Sequence, residues 1–356
     1  MGFAGMKDKK ALTRQWICIS NMDSESQLED IINLEDNIRN IKFLKVVRGQ
    51  KKLRMGQLIG TKFKIIIKDP FNDDIKSLED AVIRAREILK QLEHTGVPNY
   101  FGWQRFGKPR STTHLVGEAL IQNDLKKAVD TYIGHPTSDD SSQTYKARVA
   151  YDENNLKKSL NLMHGAMRYE KMMLKELIRD LDKYDQLNDE SYKKALHALP
   201  KPLSRMFVHA YQSYLFNEVV SKRVEMGINK YIEGNIIIDN EEKIIRDKTN
   251  QEYQNLINNF QAHPTSPLYG TKVPFAEGKV GEMEKDLLDK YSLTKEDFEV
   301  EKMPKLGSHG LRRSMRFKVW NSNVKVLDDR IMVEFSINKG SYATTVLREI
   351  MKEDVI

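Results

Sequence analysis

The 356-residue chain is poor in the residue patterns on which metal, disulfide and nucleotide chemistry depend. Cys18 is the single cysteine, which excludes an intrachain disulfide and a thiolate zinc cluster. The eight histidines form neither an HExxH nor an HxH pair, and the chain has no GxxxxGK[ST] phosphate loop and no GxGxxG turn. We therefore expect no metal, nucleotide or other cofactor.

Long apolar runs are also missing. No apolar stretch approaches the roughly 18 residues of a membrane span, and the first ten residues, MGFAGMKDKK, contain no apolar signal-peptide core. A single cysteine suits a reducing compartment. These features predict a cytoplasmic protein without a membrane partner.

Positive charge is in excess. Lysine and arginine number 58 against 51 aspartate and glutamate residues, which gives a formal net charge of +7. This balance favours a polyanionic partner such as nucleic acid, although a lysine-rich surface that keeps the protein in solution explains it equally well. The length of the chain and its 40% hydrophobic residues predict two domains.

The periodicity of apolar residues divides the chain into β-rich ends and a helical middle. Residues 43–68 are expected to form a hairpin and a strand in which Phe63 and its alternate neighbours face a core. Ser77 and Gly96 mark the start and the end of a helix. Residues 113–134, 156–187 and 203–226 have helical periodicity, residues 332–337 alternate, and Gly340 and Ser341 are expected to cap a last helix. The fold class is therefore mixed α/β (α+β), with both ends in one sheet.

The candidate catalytic residue is Asp8. It lies in the segment GMKDKKALTRQ, where positive side chains surround it on both sides: Lys7, Lys9, Lys10 and Arg14. Such neighbours favour an ionised carboxylate. Taken alone, however, a Lys-Asp-Lys turn is more often a solvated loop than a catalytic site.

At this point the sequence resembles the TruD family of pseudouridine synthases. Members of that family carry a catalytic aspartate in the motif Gly-x-Lys-Asp-x-x-Ala-x-Thr-x-Gln, which is matched by Gly5, Lys7, Asp8, Ala11, Thr13 and Gln15. Further segments resemble the family in the family's order: LRMGQLIGTKF (53–63), VPNYFGWQRFG (97–107), AYQSYLFN (210–217) and KGSYATTVLRE (339–349). Ordered matches over nearly the whole chain indicate membership of the family.

The resemblance implies a cofactor-independent isomerisation of uridine to pseudouridine in tRNA, at uridine 13. Asp8 would be the catalytic carboxylate, acting either as a nucleophile or as a base that removes a sugar proton. The implied fold is a discontinuous catalytic domain with a central, largely antiparallel sheet (1–96 and 312–356) around a mostly helical TRUD domain (97–311). The expected partner is tRNA, and the expected state is a monomer.

The resemblance also implies substrate-binding residues. Phe63 matches the family residue that stacks on the extruded uracil, Thr61 stands where the family usually has an asparagine that binds the catalytic aspartate, and Lys7 adjoins Asp8. Asn99 and Arg105 are placed at the domain junction, with Arg105 as a phosphate contact. The alternatives are that Phe63 is an ordinary core residue and that residues 99–102 are a rigid linker whose aromatic side chains pack between the domains.

A basic run is the last candidate interface. We expect Arg48, Lys51, Lys52 and Arg54 to contact the RNA backbone, with Lys62, Lys64 and Lys68 beyond them. The alternative is that these lysines only protect an edge strand against aggregation.

The start of the chain raises a rival function. Family members carry a longer segment before the catalytic motif, including a strand, whereas four residues precede Gly5 here. We expect either an internal start or a truncated form with an exposed sheet edge, and a truncated form favours a catalytically inactive RNA-binding protein. A methyltransferase on a basic scaffold is disfavoured by the missing glycine-rich loop.

Overall fold

The structure is a computed structural model that describes residues 1–20, 27, 29–33, 38–72, 74–107 and 110–352. Its strands are β1 (Gly2–Phe3), β2 (Ile17–Cys18), β3 (Gly60–Ile67), β4 (Val97–Pro98), β5 (Ile237–Asp239), β6 (Ile244–Ile245), β7 (Ala262–Leu268), β8 (Leu311–Ser314), β9 (Arg316–Phe317), β10 (Val319–Leu327) and β11 (Arg330–Asn338). Its α-helices are α1 (Leu78–Thr95), α2 (Thr113–Ile121), α3 (Leu125–Ile133), α4 (Ser142–Asp152), α5 (Leu156–Leu162), α6 (Arg168–Tyr184), α7 (Asp189–His197), α8 (Lys201–Met226), α9 (Asn250–Asn258), α10 (Gly278–Lys290) and α11 (Ala343–Met351). The mixed α/β class is confirmed.

Both ends of the chain share one antiparallel sheet, as the sequence predicts. Its strand order is β10-β11-β3, and the register places Phe63 opposite Phe335 and Thr61 opposite Ile337. The apolar face of this sheet packs against α1 and α11 in a core that includes Val82, Leu89, Phe335 and Val346. Strand β3, from the first part of the chain, is therefore joined to the last two strands, β10 and β11.

Helix α1 begins and ends where its sequence signals predict. The Ser77 hydroxyl accepts a hydrogen bond from the Asp80 amide at 3.1 Å, which satisfies one of the free N–H groups of the first turn. Gly96 follows the helix with a φ of 83°, a left-handed conformation that favours glycine. The Arg86 guanidinium donates to the carbonyl of Val324 at 2.9 Å and holds α1 against the sheet.

The middle of the chain forms a second core. Helices α2 to α8 and α10 surround buried residues such as Leu120, Leu174, Phe207 and Leu288. A second antiparallel sheet, in the order β6-β5-β7-β8, adjoins α8 and α9. The chain leaves this sheet at β8 and enters β9 and β10, so the two cores meet beside β4 and β9.

Several local expectations are wrong. Residues 41–54 contain no strand, although a hairpin is expected there; Leu44, Val46 and Val47 are more than 40% exposed and have no core against which to pair. The stretch 113–134 is broken at Asn123, whose φ is 57°, and Asp124 caps a new helix. The stretch 156–187 is likewise divided between α5 and α6, and α11 begins without a side-chain cap.

None of the helices in the described part of the chain is long and apolar enough to cross a membrane.

Candidate active site at the junction of the two cores

The segment that carries Asp8 is a loop closed by a short pair of strands. Strands β1 and β2 pair antiparallel, with Gly2 opposite Cys18 and Phe3 opposite Ile17. Asp8 is exposed immediately before a turn at residues 9–10, and Lys7 is half-buried. The carboxylate is therefore accessible to a large substrate.

This loop is held against the segment that leads into β3. The Gly56 amide donates to the carbonyl of Ala4 at 2.8 Å. A side chain at Gly2 would place its Cβ 2.3 Å from the carbonyl oxygen of Leu53, so this close approach requires glycine. Gly5 faces Leu58, whose Cδ2 lies 3.8 Å from where a Cβ would stand. The contacts tie the motif to the chain just before Thr61.

Phe63 lies on the core-facing side of β3 and is half-buried. Its ring stacks on the buried ring of Phe335, with centroids 5.8 Å apart and planes inclined by 29°. Thr61 is also half-buried, two residues earlier on the strand. Phe63 therefore packs at the border of the core while part of its side chain remains accessible, which is compatible with both roles expected for it.

The basic run lies beside the motif loop. Arg48, Lys51, Lys52 and Arg54 are exposed, and the Lys52 Cγ lies 3.2 Å from where a Cβ on Gly2 would stand. The structure thus brings this run close to the Asp8 loop. The exposed side chains on β3 differ, because Lys62 and Lys64 each pair with Glu334 at 3.2 Å.

Asn99 is not exposed to a substrate but is buried at the junction. It is 4% exposed, its amide N–H donates to the carbonyl of Met315 at 2.8 Å, and its Nδ2 donates to the carbonyl of Ser314 at 2.9 Å. Its Oδ1 accepts from Arg313 at 2.8 Å. Asn99 therefore fixes β8 and the position of Arg313.

Phe101 is the point at which three family-like segments meet. Asn217 on α8 accepts from the Phe101 amide and donates to its carbonyl, both at 2.9 Å. The Phe101 ring contacts Phe216 at 5.6 Å and the half-buried Tyr342 at 6.2 Å between centroids. Arg105 ends a short 3-10 helix, Trp103–Arg105, with its guanidinium carbon 5.0 Å from the same ring centroid. The family-like segments that begin at residues 97, 210 and 339 thus form one cluster.

Sequence reasoning missed three residues of this cluster. Arg313 lies 4.4 Å from the Phe101 ring centroid, Tyr342 packs against Phe101, and Arg348 lies 4.6 Å from the ring centroid of Tyr100. Tyr342 and Arg348 belong to the segment KGSYATTVLRE, which the resemblance singled out as a whole. Arg313 lies outside all five matched segments, and the basic pair Arg312–Arg313 before the last strands is its only local signal.

The Phe101 cluster adjoins the start of β3. Asn338 at the end of β11 pairs with Gly60, and the Gly340 carbonyl accepts a long hydrogen bond from Arg313 at 3.4 Å. Residues 338–340 therefore connect Arg313 and Tyr342 to the start of β3, where Thr61 lies. The candidate site thus has three parts that adjoin the start of β3: the accessible Asp8 loop, the half-buried Phe63 on β3 itself, and the arginine cluster beside Phe101.

Comparisons with known proteins agree with this arrangement. The family model "tRNA pseudouridine synthase D (TruD)" matches residues 1–350. "Probable tRNA pseudouridine synthase D" of Methanosarcina acetivorans is 36% identical over 99% of this chain and 80% of its own length. "tRNA pseudouridine synthase D" of Syntrophotalea carbinolica is 34% identical over 100% of this chain and 83% of its own.

A solved structure has the same fold. The crystal structure of a TruD protein from Methanosarcina mazei superimposes with a TM-score of 0.77 and 32% identity, covering 93% of this chain and 76% of that chain. Sequence and structure therefore lead to one conclusion: this chain belongs to the TruD family of tRNA pseudouridine synthases.

Proposed function

We propose that this protein isomerises uridine to pseudouridine in tRNA, at uridine 13, with Asp8 as the catalytic carboxylate. The observation that carries the proposal is the family match over residues 1–350, in which the Asp8 motif forms an accessible loop tied to the strand of Thr61 and Phe63. The structural relative and the curated relatives support the same reaction class.

The reaction rearranges bonds without net gain or loss of atoms. The bond between N1 of uracil and C1′ of ribose breaks, the base turns, and a bond between C5 and C1′ forms. The proton on C5 is released, and N1 takes up a proton. A carboxylate that attacks as a nucleophile and a carboxylate that removes a sugar proton both have to be ionised.

Access to the base requires extrusion of the uridine from its stack. An aromatic side chain beside the site stabilises an extruded base by stacking, and we assign that role to Phe63. We assign the positioning of the Asp8 loop to Thr61, whose hydroxyl is shorter than the side chain of the family's asparagine. Arg48, Lys51, Lys52 and Arg54 would contact the RNA backbone near the loop, and Lys7 would contact the substrate beside Asp8.

We propose domain boundaries that follow the two cores. The first core contains residues from 67–97 and 317–350, and the second contains residues from 116–306. We propose a catalytic domain made of both ends of the chain and an inserted TRUD domain between them. Because β8 pairs with β7, we place the second boundary after Ser314, not at 311. We propose that the protein acts as a monomer.

The test is release of tritium from tRNA that carries tritiated uridine at C5. The protein should release label from a tRNA with uridine at position 13 and none from the same tRNA with cytidine there. Binding without any release would identify an inactive RNA-binding protein. Release that is unchanged by the substitution would leave the synthase activity standing and reject position 13.

A further inference from the structure

Two arginines contact one aromatic ring at the junction of the cores. The guanidinium carbons of Arg105 and Arg313 lie 5.0 Å and 4.4 Å from the ring centroid of Phe101. Arg105 follows β4, whereas Arg313 lies on β8, so the fold brings the two charges together from distant parts of the sequence. Both side chains are half-buried and thus remain partly open to solvent.

Within the described ranges, neither arginine pairs with a carboxylate. Some other buried or half-buried arginines do: Arg312 pairs with Glu284 at 2.8 Å, and Arg148 pairs with Asp140 and Glu170 at 3.4 Å, whereas the buried Arg316 donates to backbone carbonyls. The Arg313 Nε is buried and has no hydrogen-bond partner. Among the described residues, Arg313 therefore has neutral acceptors, Asn99 Oδ1 and the Gly340 carbonyl, and no paired carboxylate neutralises Arg105 or Arg313.

The pKa values of two nearby groups are lowered, mainly by burial and in part by the charge of Arg105. The pKa of Arg313 is lowered, mainly by burial and further by the charge of Arg105, while Tyr342 and Glu242 oppose the shift. The pKa of His209 on α8 is also lowered, by partial burial and then by Arg105 and Arg205. An anion bound among these groups would relieve the repulsion between them.

A phosphodiester fits this arrangement. Guanidinium groups bind phosphate oxygens through paired, charge-assisted hydrogen bonds, and uncompensated charges at low exposure are stabilised when an opposite charge arrives. The site lies at the junction, where Asn338 and Gly340 link it to the start of β3. It is therefore adjacent to the residues proposed to receive the extruded uridine.

We propose that Arg105 and Arg313 jointly bind one backbone phosphate of the RNA substrate next to the uridine that is isomerised, and that Asn99 orients Arg313 for this contact. The proposal rests on the function proposed above. Holding a flanking phosphate would fix the sugar–phosphate backbone on one side of the extruded base. A free phosphate ion has the same chemistry and is distinguished by the test below.

The experiment measures tRNA affinity against salt concentration for the wild type, Arg105→Gln, Arg313→Gln and the double variant. Lys325→Gln is the matched control, because Lys325 is an exposed lysine on β10, in the other core. Loss of one phosphate contact should reduce the slope of log K against log salt by about 0.7 to 0.9. Since both arginines bind the same phosphate, the double variant should lose about one contact and less affinity than the sum of the single losses.

A second measurement separates binding from folding. Without RNA, Arg105→Gln should melt at the same temperature as the wild type or higher, because it removes a like charge from beside Arg313. The shared-phosphate site would be overturned if the double variant had the same slope of log K against log salt as Lys325→Gln. It would also be overturned if the affinity loss of the double variant equalled the sum of the two single losses. If inorganic phosphate raises the melting temperature of the wild type while the RNA slope is unchanged in the variants, the site takes a free anion and the RNA assignment is wrong. Tritium release by the wild type reports separately on the proposed function.

Discussion

Asp8 and Phe63 differ in how strongly the surrounding structure holds them. Asp8 is exposed in a loop that is fixed at its ends, whereas Phe63 is half-buried and stacked on Phe335. A substitution at Asp8 should therefore change chemistry without changing stability. A substitution at Phe63 should affect both, and the two effects have to be measured separately.

Asp8→Asn should abolish turnover and leave tRNA binding intact. The change keeps the shape of the side chain but removes the charge that either catalytic route requires. Because Asp8 is exposed, the melting temperature should stay close to that of the wild type. Tritium release and tRNA binding measured on the same preparation decide the matter: more than a few per cent of wild-type release in both Asp8→Asn and Asp8→Ala would remove Asp8 from the mechanism.

Phe63→Ala should slow single-turnover isomerisation by roughly ten- to a hundredfold, whereas Phe63→Tyr should have a mild effect. The estimate corresponds to about 1 to 3 kcal/mol of stacking on the extruded base. If Phe63 were only a core residue, Phe63→Ala would cost up to about 3 to 5 kcal/mol of stability and act through unfolding.

Ile65→Ala is the control for that prediction. Ile65 is the next residue on the same face of β3, is also half-buried, and pairs with Val333. It should lower the free energy of unfolding while the folded fraction reacts at the wild-type rate. A Phe63→Ala protein that behaves in the same way would return Phe63 to the core.

The lysines of the basic run 48–54 differ from those of strand β3 in their surroundings. Lys62 and Lys64 share the carboxylate of Glu334, so an edge strand carries charge that is already partly neutralised. The pKa of Glu334 is lowered by these two lysines, Lys64 first. This fits the interpretation that they protect the edge of the sheet. Lys51 and Lys52 lie beside the Asp8 loop instead.

Replacing Lys51 and Lys52 by alanine should weaken tRNA binding and reduce the salt slope by about 0.7 to 0.9 per lost phosphate contact. Replacing Lys62 and Lys64 removes the same number of positive charges and should have a smaller effect. Equal losses in the two double variants would mean that overall charge, and not the position of the run, determines affinity.

Local sequence signals predicted the bounds of α1 and the buried face of β3. The cap at Ser77 and the stop at Gly96 act through the backbone of α1, and the alternation around Phe63 reports one buried face. The hairpin expected at residues 43–54 did not form, because alternation does not create a pairing partner. The contact of Arg313 with Phe101 joins positions far apart in the chain, and no local pattern encodes it.

At the scale of the whole molecule, a buried arginine joins α1 of the first core to α9, which packs beside the second sheet. Arg316 is 1% exposed; its guanidinium donates to the Thr95 carbonyl at the end of α1 at 2.7 Å and also to the Ile257 carbonyl in α9. Burial lowers the pKa of Arg316 to about 10. The pKa of the nearby His263 is lowered to about 4, mainly because the imidazole is buried and also because of the positive charge of Arg316.

His263 should make the protein less stable in mild acid. Its folded pKa of about 4 lies below the ordinary 6.5, so the unfolded chain binds more protons between these values. The stabilisation is complete above about pH 6.5 and is lost as the pH falls towards 4. Between about pH 7.5 and pH 5 the wild type should lose about 2 kcal/mol more than His263→Gln. Urea unfolding at both pH values measures this difference, and parallel losses would show that His263 is not the responsible group.

The pairing of β3 with β11 also dictates an order of assembly during synthesis. Ile67 pairs across the sheet with Ile331, which is synthesised much later. All residues of the second core, from 116 to 306, are synthesised before Ile331. Contacts of such high contact order form slowly, and domains generally fold as units as they leave the ribosome. The helical region can thus be complete while β3 is still without its partner β11. The sheet that contains Thr61 and Phe63 is therefore complete only after β10 and β11 have emerged.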